Sequence, residues 1–137
     1  ENEDCPYWTP LRAPIAECRV ALLTTGGIYL RDVQAPFIPD RDDLTFREIA
    51  KDVDVSHLAI SHDSYDHRDV EKDVNCIFPL ERLTELAKEG AIGEFAATAY
   101  AIMGRIFRRT ALQKELTPQI LQCLKDAEVD VLLLTPA

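Results

Sequence analysis

Residues 60–83 read ISHDSYDHRDVEKDVNCIFPLERL, and the rest of the chain is interpreted around this stretch. An apolar run at 58–60 stops abruptly at a loop of polar residues, 61–67, whose side chains can titrate, bind metal or donate hydrogen bonds. In open α/β sheets, ligands usually bind just beyond the carboxyl ends of strands. The sequence therefore predicts a ligand site in the 61–67 loop.

A helix follows this loop. The leucines at 80, 83 and 86 recur at the three-residue spacing of one helical face, and Gly90 suits a carboxyl-terminal cap. We predict a helix over residues 79–89, preceded by a short extended piece at 73–77.

Apolar runs elsewhere predict the strands. They lie at residues 18–23, 55–60, 95–103 and 129–134, and Thr117-Pro118 has the pattern of a helix start. Strands that alternate with helices indicate a mainly parallel sheet. The expected fold is a three-layer α/β domain with flanking helices, in a Rossmann-like or flavodoxin-like topology. Residues 31–54 contain prolines and an acidic run, and we predict a long loop there.

The chain is long enough for one domain with one core. Residues 1–16 contain three prolines and are predicted to form an extended arm, on which Tyr7, Trp8 and Leu11 serve as anchors. Residues 17–137 form the single α/β domain.

Composition excludes several classes of function. The net charge of −9 lacks a compensating basic stripe and argues against nucleic-acid binding. No apolar run approaches the length of a membrane span, and no secretory signal is visible. The four cysteines show no CxxC spacing, so we expect reduced thiols in a cytoplasmic protein. A homo-oligomer is expected from general frequency.

The predicted sheet brings four segments to one edge, because parallel strands end on the same side. These segments are 24–27, 61–67, 103–104 and 135–137. The paired glycines permit close approach of a ligand, and threonine hydroxyls with free amides can hold a carboxylate or phosphate. The alternative interpretation of 24–27 is a tight turn after a strand. The residues predicted to bind substrate are Thr24, Thr25, Gly26, Gly27, Ser61, Asp66, Met103, Gly104 and Thr135.

The histidine loop allows three interpretations. In the first, His62, Asp63, Tyr65 and His67 perform acid–base chemistry or anchor a substrate, because imidazole exchanges protons near neutral pH. In the second, His62, Asp63, Asp66 and His67 bind a metal, although their spacing matches no helical metal motif. In the third, the loop is purely structural and is held by turns and ion pairs with Arg68.

Several phrases together resemble the selenoprotein B family of the glycine, sarcosine, betaine and D-proline reductases. They are VALLTTGGIYLRDVQAPF at 20–37, TFREI at 45–49, the stretch from 60 to 93, and VDVLLLTPA at 129–137. The resemblance runs from about Cys18 to Ala137 and is more specific than any single motif above.

The resemblance implies reductive cleavage of a carbon–nitrogen bond in an amino acid or betaine. It implies a small amino-acid-like substrate, and either other reductase subunits or a thiol donor as partners. The nucleophile in the family is a selenocysteine or cysteine that follows a phrase like LLTP, so it is expected just after Ala137 if the chain continues. No cofactor is expected within the 137 residues.

The sequence departs from the family pattern at two places. Ser64 stands where a third histidine is expected, and the chain stops at Ala137, where the nucleophile is expected. We therefore expect a domain that lacks its carboxyl-terminal redox segment, and the redox residue is assigned to no residue here. The alternatives are a non-catalytic binding or assembly module of the same fold, and the metalloenzyme described above.

Overall fold

The computed structural model describes residues 9–38 and 42–137. The predicted anchors Tyr7 and Trp8 lie outside these ranges, whereas Leu11 lies within them and is exposed. Residues 15–17 form a short 3-10 helix rather than extended chain. No helix formed by the described residues is long and apolar enough to cross a membrane.

The described residues form a main sheet and a small second sheet. The strands are β1 (Arg19–Thr24), β2 (Ile28–Leu30), β3 (Phe46–Ala50), β4 (Leu58–Ile60), β5 (Glu94–Phe95), β6 (Thr98–Ile102) and β7 (Val131–Thr135). In the main sheet β1 is central and parallel to β5, β6 and β7, while β3 runs antiparallel to β6. The second sheet is the antiparallel pair of β2 and β4. The prediction of an α/β fold with a mainly parallel sheet is confirmed.

Helices cover both faces of this sheet. The α-helices are α1 (Leu80–Lys88), α2 (Arg109–Ala111) and α3 (Thr117–Asp126). Successive β1 side chains point to opposite faces. Val20 and Leu22 pack in the cluster that contains residues of α1, whereas Ala21 and Leu23 pack in the cluster that contains residues of α3. This two-sided burial explains why the 18–23 run is apolar without alternation.

The helix predicted at 79–89 is confirmed, and its end follows the expected physics. Gly90 has φ +73°, and its amide donates to the carbonyl of Ala87. Glycine adopts this left-handed conformation at no steric cost, so it ends the helix without strain.

Helix α3 begins at Thr117 with Pro118 in its first turn, as predicted, but Thr117 is not an N-cap, because helical chain already precedes it. Helical chain begins with α2 and continues through a π-helical turn, Leu112–Leu116, into α3. The wide turn lies directly before Pro118, which has no N–H to bond the preceding turn. The true start has a remote partner, because the carboxylate of Asp42 accepts the amides of Phe107 and Arg108 at 2.8 and 2.9 Å. A local sequence pattern cannot reveal that contact.

Three other elements differ from prediction. The 31–54 stretch contains β3, whose Ile49 is fully buried against the sheet. The second predicted strand, 55–60, is a 3-10 helix followed by β4, and it does not join the main sheet. The piece expected to be extended at 73–77 is a 3-10 helix at Val74–Cys76, which Asp73 caps by accepting the amide of Asn75.

Candidate functional site

The histidine loop reaches the glycine turn by a route that the sequence did not predict. Strand β2 begins immediately after Gly27, and β4 pairs antiparallel with it so that Ile60 lies opposite Ile28. The end of β4 is thereby held against the end of β1. The amide of Ser61 donates to the carbonyl of Gly27 at 3.0 Å. The proximity was predicted, but it arises from antiparallel pairing and not from a shared parallel sheet.

The glycine turn is a crowded contact point. Gly27 has φ +66°, and a Cβ atom there would lie 3.0 Å from the Cβ and backbone nitrogen of His62. A Cβ on Gly26 would lie 2.6 Å from Cδ1 of Ile77 and 3.4 Å from the hydroxyl of Tyr65. Only glycine fits both positions without displacing these neighbours, so the paired glycines allow the loop to pack on the strand ends.

The backbone amides of this turn are already occupied. Thr25 donates to the carbonyl of Thr135, Gly26 to the hydroxyl of Thr24, and Gly27 to the carbonyl of Ile102. The expectation that free amides at 24–27 hold a carboxylate or phosphate is therefore wrong in this conformation. The alternative interpretation of the segment as a tight turn fits the structure.

Three aromatic rings contact one another in tilted, edge-to-face geometry, and this ring stack leads away from the turn. The ring of Tyr65 lies 5.0 Å from the ring of His62 and 4.7 Å from the ring of His67, centroid to centroid. The Tyr65 hydroxyl donates to the carbonyl of Gly26 at 3.0 Å. This bond and the stacking hold both imidazoles relative to the end of β1.

His62 is the buried member of the stack, with 5% of its surface exposed. Its Nδ1 accepts the amide of Ser64 at 3.1 Å, which leaves the proton of the neutral ring on Nε2. Burial is the main cause that lowers the pKa of His62; the carboxylate of Asp63 opposes it, and the electrostatic effects of His67 and Arg105 act with the burial. At neutral pH this side chain is therefore a neutral hydrogen-bond donor.

Tyr65 is also held in its neutral form. Burial, with a smaller contribution from the nearby Cys76, raises the pKa of Tyr65 to about 12. Cys76 itself is an exposed free thiol close to the stack. The phenol is therefore a hydrogen-bond donor at neutral pH and not a base.

His67 is the last ring of the stack, and it lines a cavity of about 590 Å³. Its Nε2 is buried and has no hydrogen-bond partner among the described residues. Apolar side chains of β2, β4 and the 70–74 turn form much of the wall, and Arg31, Glu71 and Lys72 also line it. A buried imidazole nitrogen without a partner carries a free-energy cost that a polar ligand or water would remove. His67 is therefore a cavity-lining residue that carries one buried, unpartnered ring nitrogen.

The other predicted site residues fall into two groups. Met103 and Gly104 contact the glycine turn, and the hydroxyl of Thr135 donates to the carbonyl of Ile77 at 2.7 Å. Asp63 and Asp66 are exposed, and they pair with Arg105 at 3.9 Å and with Arg68, respectively. The four segments do meet at one edge, as predicted. However, the cavity is lined by His67 and not by residues 24–27 or Thr135.

The histidine loop does not have the geometry of a metal site. Within residues 9–38 and 42–137, no group of three or more His, Cys, Asp or Glu side chains is close enough to hold a metal ion. His62, Asp63, Asp66 and His67 are turned toward different partners. The structure gives the metalloenzyme alternative no support.

Sequence reasoning missed the cavity wall and Arg105. Val70 lies in a segment of turns and Val74 begins a three-residue 3-10 helix, so no periodicity marked them. Arg105 was not predicted to be near the histidine loop, but it pairs with Asp63 and lowers the pKa of His62. Its position directly after Met103-Gly104 was the available signal.

Comparisons with known proteins agree with the resemblance seen in the sequence. The chain is 35% identical over 130 residues to the D-proline reductase subunit gamma of Acetoanaerobium sticklandii, and the match covers 95% of this chain and 53% of that protein. The chain thus spans about half the length of this curated relative. No solved structure matches it. The sequence model described as glycine/sarcosine/betaine reductase selenoprotein B matches residues 5–137. The chain therefore belongs to the glycine/sarcosine/betaine reductase selenoprotein B family.

Proposed function

We propose that this chain is a subunit of a selenol- or thiol-dependent reductase that cleaves a carbon–nitrogen bond of a small amino acid or betaine. Family membership supports the reaction class. The structural observation that carries the proposal is the buried, unpartnered Nε2 of His67 beside a cavity of about 590 Å³. A cavity of this size suits a small molecule.

The chemistry divides between this chain and groups outside it. A selenol or thiol attacks the carbon that bears the amine, so the carbon–nitrogen bond breaks as a selenoether or thioether forms. An external dithiol then supplies two electrons, becomes a disulfide and releases the carbon from the nucleophile. The two hydrogens of the dithiol end on that carbon and on the amine nitrogen, which stays attached to the chain when the substrate is D-proline. The 137 residues contain no selenocysteine, and none of their cysteines follows Thr135-Pro136. We therefore assign substrate binding and proton transfer to this chain, and the attack to a nucleophile outside these residues.

We assign the proton transfer to His67 and a positioning role to His62. His67 lines the cavity and has an unpartnered ring nitrogen, whereas His62 is buried, neutral and already bonded at Nδ1. Tyr65 stands between the two rings and keeps its proton. Arg31, at the cavity wall, supplies a positive charge suited to a substrate carboxylate.

Turnover by the assembled reductase tests this assignment. The assay combines this chain with its companion subunits and a dithiol. It measures release of ammonia or amine from glycine, sarcosine and betaine, and ring opening of D-proline, whose nitrogen stays attached to the carbon chain. We expect His67→Asn to lower kcat by about two to four orders of magnitude, the usual contribution of a general acid. His57→Asn is the matched control, because His57 is exposed and does not line the cavity.

The outcomes separate the candidate functions. If His67→Asn and His57→Asn leave turnover equally unchanged, His67 has no catalytic role. If these compounds bind but neither amine release nor opening of the D-proline ring is seen in any assembly, the binding-module alternative replaces the reductase.

A further inference from the structure

We propose that the outer edge of β7 pairs in parallel with a further strand. This chain matches only part of the D-proline reductase subunit gamma. We propose that the further strand comes from polypeptide equivalent to the unmatched part of that subunit. The inference rests on family membership and on the geometry of β7. It does not depend on the reaction proposed above.

The backbone of β7 is paired on one side only. Among the described strands β7 pairs with β1 alone, and the amide of Thr25 donates to the carbonyl of Thr135 at 3.1 Å. The N–H and C=O of one strand residue point the same way, and the direction alternates along the strand. The backbone groups of Leu133 therefore face β1, whereas those of Leu132 and Leu134 face outward. Backbone N–H and C=O groups that face outward need hydrogen-bond partners once protein covers them.

The side chains of β7 are those of an interior strand. Val131 packs on the α1 side of the sheet and Leu132 on the α3 side, as in a strand covered on both faces. Leu133 and Leu134 nevertheless remain 38% and 61% exposed. Natural edge strands are usually protected by charged residues, proline or bulges, and β7 has none of these. An interior-type strand therefore occupies an edge position.

The length of the relative indicates the occupant. The family match includes all of β7, yet the chain covers only 53% of the D-proline reductase subunit. That protein therefore contains nearly as much unmatched polypeptide as matched. Parallel pairing is expected because β5, β6 and β7 all run parallel to β1. A second copy related by a two-fold axis would instead pair antiparallel, and would bring together two chains of net charge −9.

Amide hydrogen exchange tests the proposal by comparing this chain with the full-length D-proline reductase subunit gamma. The positions aligned with Leu132 and Leu134 should exchange at least about a hundredfold more slowly in the longer protein, because hydrogen bonding within a stable sheet protects amides. The amide of Leu133, which faces β1, is the internal control and should be protected in both proteins. Exchange rates at 132 and 134 are therefore expressed relative to the rate at 133.

Two results would overturn the inference. One is an equal relative exchange rate at these positions in the two proteins. The other is a dimer of this chain, seen by light scattering, in which Leu132 and Leu134 are already protected. Because exchange is measured without turnover, this proposal and the proposed reaction can fail separately.

Discussion

Substitution of Gly27 by alanine tests whether the histidine loop packs on the glycine turn. Gly27 and Gly90 have nearly the same backbone conformation, with φ +66° and +73°. Alanine costs roughly 1–2 kcal/mol in that conformation, of which about 0.4–1 kcal/mol is offset by reduced entropy of the unfolded chain. A Cβ at Gly90 meets nothing within 4 Å, so Gly90→Ala should lower the free energy of unfolding by only about 1 kcal/mol.

Gly27→Ala carries an additional steric cost. Its Cβ would lie 3.0 Å from both the Cβ and the backbone nitrogen of His62, and backbone cannot move away as a flexible side chain can. Overpacking of this kind costs about 1–3 kcal/mol, so the total loss should be roughly 2–4 kcal/mol. Urea denaturation of the two variants and the parent chain, followed by circular dichroism, measures the difference. Equal losses in the two variants would show that His62 does not pack against Gly27.

Three further predictions concern the core and the ring stack. The pKa of His62 is lowered from the ordinary 6.5, so on acidification the unfolded chain takes up a proton before the folded chain does. The free energy of unfolding should therefore fall as pH drops below about 6.5. His62→Asn should weaken this pH dependence, measured by urea titrations across that range. The pKa of Tyr65 is about 12 against an ordinary 10.0, so the free energy of unfolding should fall as pH rises above 10.0. Tyr65→Phe should remove the contribution of this phenol to the alkaline loss of stability and, by deleting its hydrogen bond, cost about 1 kcal/mol at neutral pH. An unchanged alkaline stability profile in the variant would contradict the burial of Tyr65. Phe78 is fully buried between α1 and the sheet, so Phe78→Ala should cost about 3–5 kcal/mol by thermal or urea unfolding, and a loss below about 1 kcal/mol would contradict the core described here.

Local patterns predicted the parts of the fold that depend on local physics. The apolar runs predicted β1, β6 and β7, because a strand covered on both faces has apolar side chains in succession and not an alternation of apolar and polar ones. The leucine spacing predicted α1 because one face of this helix is buried. Gly90 predicted its end because the carboxyl-terminal cap needs a residue in the left-handed conformation. These signals lie within a few residues of the element that they specify.

The errors came from contacts between distant residues. The start of α2 depends on Asp42, more than sixty residues away in the chain. The placement of β4 depends on pairing with β2, a three-residue strand too short to be recognised by its period. The occupied amides of the glycine turn depend on Ile102 and Thr135. No local pattern carries this information, so the four segments were correctly predicted to meet, whereas the occupied amides and the cavity beside His67 were not predicted.

The central claim is that His67 presents a free imidazole nitrogen to a small substrate in the adjoining cavity. Nitrogen-15 NMR of the histidine side chains, during titration of this chain with glycine, sarcosine, betaine and D-proline, tests it most directly. We expect a saturable shift of the His67 Nε2 resonance with at least one of these compounds, and no shift of the His57 resonances. Saturable binding that leaves His67 unperturbed, or no binding of any of the four at millimolar concentration, would contradict it.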